Sequence, residues 1–124
     1  MQTRAIAKNV GHPPRKVRRV TEVIRGRRVD EALAILKFLP NAPARDVFAV
    51  LSSAIANAEN NYEIDPDTLW VANATTDEGV TIKRFRARSH GRASRIMRRS
   101  SHITVIVTDN PADLPKTVRR GGRR

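Results

Sequence analysis

The sequence predicts an α+β protein: three helices packed on a small antiparallel sheet, with one long protruding basic β-hairpin and a flexible basic C-terminal tail. Three observations predict this fold class. Apolar residues recur at helical spacing in three segments between Arg15 and Asn60. An uncharged run rich in β-branched residues covers Ser101–Val107. Between these regions lies Lys83–Arg99, where eight of the seventeen residues are basic and none is acidic.

The chain has the length of one domain. Its 124 residues predict a single domain over residues 1–109, in which the hairpin takes about residues 80–105. A tail over residues 110–124 combines prolines, glycines and arginines, and we expect it to be disordered when free.

A strand and then a helix are predicted at the start of the chain. Thr3–Val10 is a candidate strand, and the proline-rich turn after it suits the start of a helix. In that helix, Val17, Val20 and Ile24 fall at i, i+3 and i+7 and form one apolar stripe. Gly26 follows where a helix with this pattern ends.

The same periodicity predicts two further helices. In the second, Leu33, Leu36 and Leu39 have helical spacing, and Pro40 ends the segment. The third runs from about Ala42 to Asn60. Its predicted buried stripe consists of Val47, Leu51, Ala54, Ile55 and Ala58.

Alternating residues predict a strand at Thr68–Ala74, with Leu69 and Val71 on one face and Ala74 on the other. The polar segment Asp77–Gly79 then predicts a turn that leads into the hairpin.

The hairpin is predicted to have one arm at Val80–Arg88, a turn at Gly91 and a return arm that leads into the strand Ile103–Val107. Arms of about 12 residues would extend roughly 40 Å at ~3.3 Å per residue, which exceeds what a domain of this size needs for its own core. Like charges in the arms repel, so we expect the hairpin to need a polyanionic partner.

Charge is segregated along the chain. The net charge is +12, which argues against an ordinary metabolic enzyme and for a polyanionic partner. Residues 1–28 hold nine Lys or Arg and one acid, residues 29–79 hold two Lys or Arg and nine acids, and residues 80–108 hold eight basic residues and no acid. This alternation predicts one cationic face and one solvated acidic face.

The composition also bears on location. Cysteine is absent, which excludes a disulfide framework and fits a reducing compartment. No apolar run approaches the ~20 residues that span a membrane, and we expect no signal peptide, membrane partner or homo-oligomer. The expected location is cytoplasmic, although a protein of an organelle would look the same.

Signals for catalysis are weak. Phosphate-binding and dinucleotide-binding glycine motifs are absent, and His12, His90 and His102 lack metal-ligand spacing. Asp65 and Asp67 resemble the start of a calcium loop, but a proline separates them and the later ligands are missing. The sequence therefore predicts no catalytic residue, no cofactor and no metal site.

Signals for nucleic-acid binding are stronger. On the first helix, basic residues lie beside the apolar stripe, so one face can pack while the other contacts phosphate. Aromatic residues make up only 4% of the chain, so contacts to phosphates, sugars and backbone shape should outweigh base stacking. The predicted RNA-binding residues are Arg15, Lys16, Arg18, Arg19, Arg25, Lys83, Arg84, Arg86, Arg88, Arg92, Arg95, Arg98, Arg99 and His102.

Several motifs, in order along residues 3–108, resemble the bacterial ribosomal protein L22 (uL22) family. Most specific are the basic stretch Lys83–Arg86, the turn segment Gly91–Ile96 and the strand entry Arg98–Val105. Pro14–Arg18, Ser53–Ala58 and Asp77–Gly79 are also similar to the family.

The resemblance implies a structural constituent of the large ribosomal subunit. The body would lie on the subunit surface near the exit of the peptide tunnel, bind several domains of 23S rRNA and help assembly. The hairpin would line the tunnel near ribosomal protein L4, close to the macrolide site, and contact the nascent polypeptide. Carried over by position, the tunnel-lining residues of the hairpin tip are Ile82, Lys83, Arg84, Arg88, Ser89, His90, Gly91 and Arg92.

The chain departs from the family pattern near the tip. Ala87 stands where the family usually has proline, and Ser89-His90 replaces a more common pair of a small and a basic residue. Proline fixes φ and removes a donor, so its absence bears on the conformation of the tip and not on the existence of the hairpin.

Two alternatives belong to other functional classes. An architectural DNA-binding protein would lay a β-ribbon arm in the minor groove, but such arms often carry an apolar wedge, and Arg88–Arg92 has no Pro, Leu or Ile. An RNA-modifying enzyme would need a cofactor pocket, for which the sequence gives no motif.

Overall fold

The computed structural model describes residues 2–87, 91 and 93–114, and for residues 86, 87, 93–96 and 113 it describes the backbone alone. Five strands and three helices follow one another along these residues. They are β1 (Gln2–Val10), α1 (Pro14–Ile24), α2 (Val29–Phe38), α3 (Ala44–Tyr62), β2 (Trp70–Glu78), β3 (Ile82–Ala87), β4 (Ala93–Arg98) and β5 (Ser101–Thr108). The predicted fold class is confirmed, because three helices accompany a small antiparallel sheet and a hairpin.

The body is built on a three-stranded antiparallel sheet in which β5 lies between β1 and β2. Val105 at the centre of β5 is paired with Ala5 of β1 and with Ala74 of β2. The uncharged, β-branched character of β5 fits this central position, since a strand with neighbours on both sides gains most from such side chains. Ile103, Val105 and Val107 are all fully buried on one face of the sheet.

The three helices cover that buried face. α3 packs across β1 and β5, α1 packs against β2, and α2 packs on α3. The predicted stripe of α1 is confirmed, because Val17, Val20 and Ile24 are fully buried. In α3, four of the five predicted stripe residues are buried, and Ile55 is half-buried at the edge of the core.

In α2 the sequence prediction was only partly right. Leu36 is buried as expected, but Leu33 and Leu39 are half-buried, and Val29 and Ala32 complete the buried face. Small and β-branched side chains near the start of this helix face the core, a pattern that the leucine spacing alone did not indicate.

β2 is longer than predicted, and its face pattern changes at a bulge. The register against β5 shifts between Val71 and Asn73, so Ala72 is the extra residue. Ala74 therefore lies on the core face with Val71, and the prediction that it faces the other way was wrong.

The prediction of a turn at Asp77–Gly79 was also wrong for its first two residues. Asp77 pairs with His102 and Glu78 pairs with Ser101, so the strand continues through both acids and ends before Gly79. These polar residues can adopt a strand because β5 pairs with them along the ladder.

The residues after β5 form a short turn. Asn110 accepts a hydrogen bond from the backbone N–H of Ala112 at 3.0 Å and caps a 3₁₀ turn over Pro111–Asp113. The tail predicted over residues 110–124 includes this turn, and its residues 115–124 lie outside the described residues. No helix in the described part of the chain is long and apolar enough to cross a membrane.

Candidate nucleic-acid interface

β3 and β4 form a two-stranded antiparallel ladder, here called the ribbon, that is separate from the sheet of the body. Six residue pairs join the two arms, from Ile82 opposite Arg98 to Ala87 opposite Ala93. The predicted hairpin is thus interrupted: its ribbon spans six residues per arm, roughly 20 Å at ~3.3 Å per residue, and β5 belongs to the body. Within the described residues the ribbon strands pack mainly on each other, so the ribbon projects from the body.

The register of the ribbon keeps its cations apart. Each basic residue of one arm lies opposite an uncharged residue of the other. The pairs that contain a cation are Ile82 with Arg98, Lys83 with Met97, Arg84 with Ile96, Phe85 with Arg95 and Arg86 with Ser94.

Any nearby register would place like charges opposite each other, which is destabilising. Sliding one arm by one residue would set Arg84 opposite Arg95, or Lys83 opposite Arg98. Sliding by two residues would set Lys83 opposite Arg95, or Arg84 opposite Arg98. The charge pattern therefore selects the observed register, and the ribbon can form without neutralising its charge internally.

The ladder also distributes basic residues over both faces of the ribbon. Since successive strand residues alternate between faces, Arg84 and Arg98 belong to one face and Lys83 belongs to the other. The side chains of Lys83, Arg84, Arg98 and Arg99 are exposed, and none has an ion-pair partner among the described residues. A ribbon with cations on both faces is suited to lie between two phosphate-bearing surfaces.

The basic residues of α1 fall into two groups. Arg15, Lys16 and Arg19 are exposed, and their side chains have no hydrogen-bond or ion-pair partner in the described part of the chain. These three side chains are free to contact a ligand.

Arg18 and Arg25, by contrast, reach the outer edge of β2. Arg25 Nη2 donates to the carbonyl of Ala74 at 2.8 Å, and Arg18 Nη2 donates to the carbonyl of Thr76 at 3.3 Å. Unpaired carbonyls at a sheet edge need donors, and these two guanidinium groups supply them.

Backbone groups close the rest of the same edge. Gly26 N donates to the carbonyl of Val71 at 2.9 Å, and Val71 N donates to the carbonyl of Arg27 at 2.8 Å. The edge of β2 is therefore satisfied by α1 and the segment after it. Sequence reasoning missed this role of Arg18 and Arg25, although their spacing of seven residues places them on one side of the helix.

His102 lies on the face of β5 opposite the core and is half-buried. Its Nδ1 accepts a hydrogen bond from the backbone N–H of Asn9 at 3.1 Å. Asn9 has a left-handed backbone (φ 58°) at the bulge where the register of β1 shifts. The imidazole therefore stabilises a bulge, in addition to any contact with RNA.

Of the residues predicted to line a tunnel, the structure describes Ile82, Lys83, Arg84 and Gly91. Ile82, Lys83 and Arg84 begin β3 at the end of the ribbon nearest the body, and Ile82 lies about 17 Å from Ala87 at ~3.3 Å per residue. Gly91 has φ of 72°, which glycine adopts without strain. Arg88, Ser89, His90 and Arg92 lie outside the described residues.

Two cations of β1 were not predicted as contacts. Arg4 and Lys8 are both exposed on a strand whose other residues are largely uncharged. The sequence signal that could have identified them is the excess of basic residues in residues 1–28, to which both belong.

Together, the ribbon and α1 indicate a class: a small basic protein whose exposed cations are suited to contact a phosphate backbone. The ribosomal protein L22p/L17e family model matches residues 5–108. The large ribosomal subunit protein uL22 of Oceanobacillus iheyensis is 55% identical over 109 residues, covering 88% of this chain and 96% of the relative. The uL22 protein of Clostridium novyi is 50% identical over 109 residues, covering 88% of this chain and 98% of the relative.

The chain belongs to the ribosomal protein L22p/L17e family. It is accordingly a structural ribosomal protein and not an enzyme. The resemblance inferred from the basic hairpin motifs is confirmed.

Proposed function

We propose that the chain is built into the large ribosomal subunit, binds 23S rRNA and bridges several rRNA domains during assembly. The observation that carries this proposal is the two-faced ribbon, in whose six residue pairs no cation lies opposite another cation. Membership of the family supports it, since the two relatives are large-subunit proteins. Phosphates that converge from separate RNA helices repel one another, and cations on both faces of one ribbon offset that repulsion.

The contacts come from both basic regions. In the ribbon they are made by Lys83, Arg84, Arg86, Arg88, Arg92, Arg95, Arg98 and Arg99, with His102 at its base. On α1 they are made by Arg15, Lys16 and Arg19, which are exposed. Arg18 and Arg25 contribute the part of each guanidinium that β2 does not use.

The hairpin lines the nascent-peptide exit tunnel in this proposal. Its tip contacts ribosomal protein L4 at the constriction and the nascent polypeptide. The projection of the ribbon from the body supports this placement, because a projecting arm can reach a site that the body does not occupy. Ile82–Arg84 would then lie nearer the body than Gly91 does.

Sedimentation tests the proposal. A lysate of the source cells is resolved at low magnesium on a gradient, and each fraction is probed for the chain. The expected result is co-migration with the large subunit that survives a high-salt wash. Migration with the nucleoid or as free protein would overturn the proposal, and the former would favour the architectural DNA-binding alternative.

A further inference from the structure

A cleft of about 440 Å³ lies where the ribbon leaves the body, and it is called the root cleft here. It separates the start of α1 from the face of the ribbon that carries Lys83. The side chains that line it include Pro14, Glu78, Thr81, Lys83, Met97 and Arg99. The sequence pattern did not indicate that these residues lie together, because they come from three separate segments of the chain.

The cleft exists because the ladder is broken at one place. Between the pair Glu78–Ser101 and the pair Ile82–Arg98, three residues of one arm face two residues of the other. Such an extra residue bends a strand and redirects its side chains.

Two hydrogen bonds fix this break. Gly79 N donates to the carbonyl of Ser100 at 2.9 Å, and Ser100 Oγ donates to the carbonyl of Val80 at 2.6 Å. The arms approach so closely here that a Cβ on Gly79 would lie 2.6 Å from Ser100 Oγ. The root cleft is therefore a defined part of the fold and does not depend on the end of the ribbon.

The lining combines three kinds of chemistry. Met97, whose side chain is 40% exposed, offers apolar surface, and the buried Pro14 is the second apolar side chain of the lining. Lys83 and Arg99 are exposed cations at the rim, and neither has an ion-pair partner among the described residues. Glu78 places an exposed carboxylate, which accepts hydrogen bonds and donates none when ionised, at the same cleft.

A nucleotide that has left its stack matches this lining. Its base is flat and apolar on both faces, its phosphate is anionic, and its edge is polar. A cleft of a few hundred cubic ångströms is the usual size for a small-ligand site. Among the four bases, guanine presents two adjacent N–H donors, N1 and N2, on its Watson–Crick edge, and these suit one carboxylate.

We propose that the root cleft holds one extruded guanine nucleotide of the rRNA. The base packs on the exposed side chain of Met97, its edge donates to Glu78, and its phosphate contacts Lys83 and Arg99. This inference rests on the proposed function, because it assumes that the ligand of the ribbon is rRNA. The root cleft would thus recognise one base, whereas the rest of the interface contacts the phosphates and the shape of the backbone.

Chemical footprinting tests the proposal. Full-length protein is bound to 23S rRNA, and a glyoxal reagent that modifies N1 and N2 of unpaired guanines maps their accessibility. The wild-type complex should protect one guanine that becomes reactive again in Glu78→Ala and in Met97→Ala. The affinity of each variant for the RNA should fall about tenfold.

Asp77→Ala is the matched control, because it removes the same charge from the adjacent residue. Asp77 pairs with His102 and does not line the cleft. Its complex should keep the guanine protected. Melting curves of all three variants should match the wild type, which excludes unfolding as the cause.

Two results would overturn the inference. If Glu78→Ala and Met97→Ala bind with unchanged affinity and unchanged protections, the cleft holds no nucleotide, while the proposed rRNA binding stands. If Asp77→Ala loses the same protection, the effect comes from general charge and not from the cleft. Failure of the wild-type protein to bind 23S rRNA would instead overturn the proposed function itself.

Discussion

α1 and the ribbon are similarly basic in sequence but differ in what their cations do. In α1, Arg18 and Arg25 donate hydrogen bonds to the edge of β2, so part of the charge of the helix stabilises the body. In the ribbon, the described basic side chains are exposed and have no partner among the described residues. The difference shows that charge density alone does not identify a ligand contact, because a nearby sheet edge can use the same guanidinium groups.

The geometry of the neighbours explains the difference. α1 lies against an edge strand whose outward carbonyls need donors, and its apolar stripe fixes its distance from that strand. The ribbon has no third strand, so nothing in the described fold competes with a ligand for its cations. We therefore expect changes at Arg18 and Arg25 to affect folding first and changes in the ribbon to affect binding first.

Removing the ribbon should give the largest effect. Residues 82–98 are replaced by a two-residue Asn-Gly turn, which suits a tight hairpin. The apolar stripes lie in the body, so cooperative thermal melting should persist while incorporation into large subunits is lost. Gradient fractions and melting curves measure the two properties. Loss of cooperative melting would show that the ribbon helps to hold the body together.

Arg25→Met should have an intermediate effect that appears in stability. The change keeps the length of the side chain but removes the donor to Ala74, which leaves a carbonyl without its partner. The free energy of unfolding should fall by about 1–3 kcal/mol in a urea titration.

Arg19→Met is the matched control for that experiment. Arg19 is exposed and its side chain has no partner in the described residues, so its loss should change stability by no more than about 0.5 kcal/mol. Equal losses of unfolding free energy in the two variants would contradict the stabilising role of the Arg25 hydrogen bond.

Gly79→Ala should have the smallest of these effects. The new Cβ would displace Ser100 Oγ from its position and weaken its hydrogen bond to the carbonyl of Val80. The expected cost is about 1 kcal/mol in unfolding free energy, together with altered amide chemical shifts around the root of the ribbon. Gly11→Ala is the control, because a Cβ there would meet nothing within 4 Å. Identical spectra near Ser100 in wild type and Gly79→Ala would contradict the close approach.

Much of this architecture could be predicted from local patterns. The stripe of Val17, Val20 and Ile24 places α1 on the core, because burial of one helical face follows from its period. The existence of the hairpin follows from two extended arms around Gly91. Even the register could have been derived, since no other alignment within two residues of it keeps both Lys83 and Arg84 from facing arginines.

Other features depend on contacts between distant segments. The bulge at Ala72 sets the face of Ala74, and it arises from pairing with β5, more than thirty residues away. The hydrogen bond from Arg25 to the carbonyl of Ala74 forms only because the edge of β2 lies beside α1. The root cleft joins three segments of the chain, so no local spacing could indicate it.

The salt dependence of RNA binding tests the central claim most directly, which is that ribbon cations act on RNA and not on the fold. Wild type is compared with Arg84→Gln plus Arg98→Gln, two exposed residues on one face of the ribbon. The slope of log affinity for 23S rRNA against log salt should decrease by about 1.5, at roughly 0.7–0.9 per lost phosphate contact, with the unfolding free energy unchanged. An unchanged slope, or a lower unfolding free energy in the variant, would contradict the account.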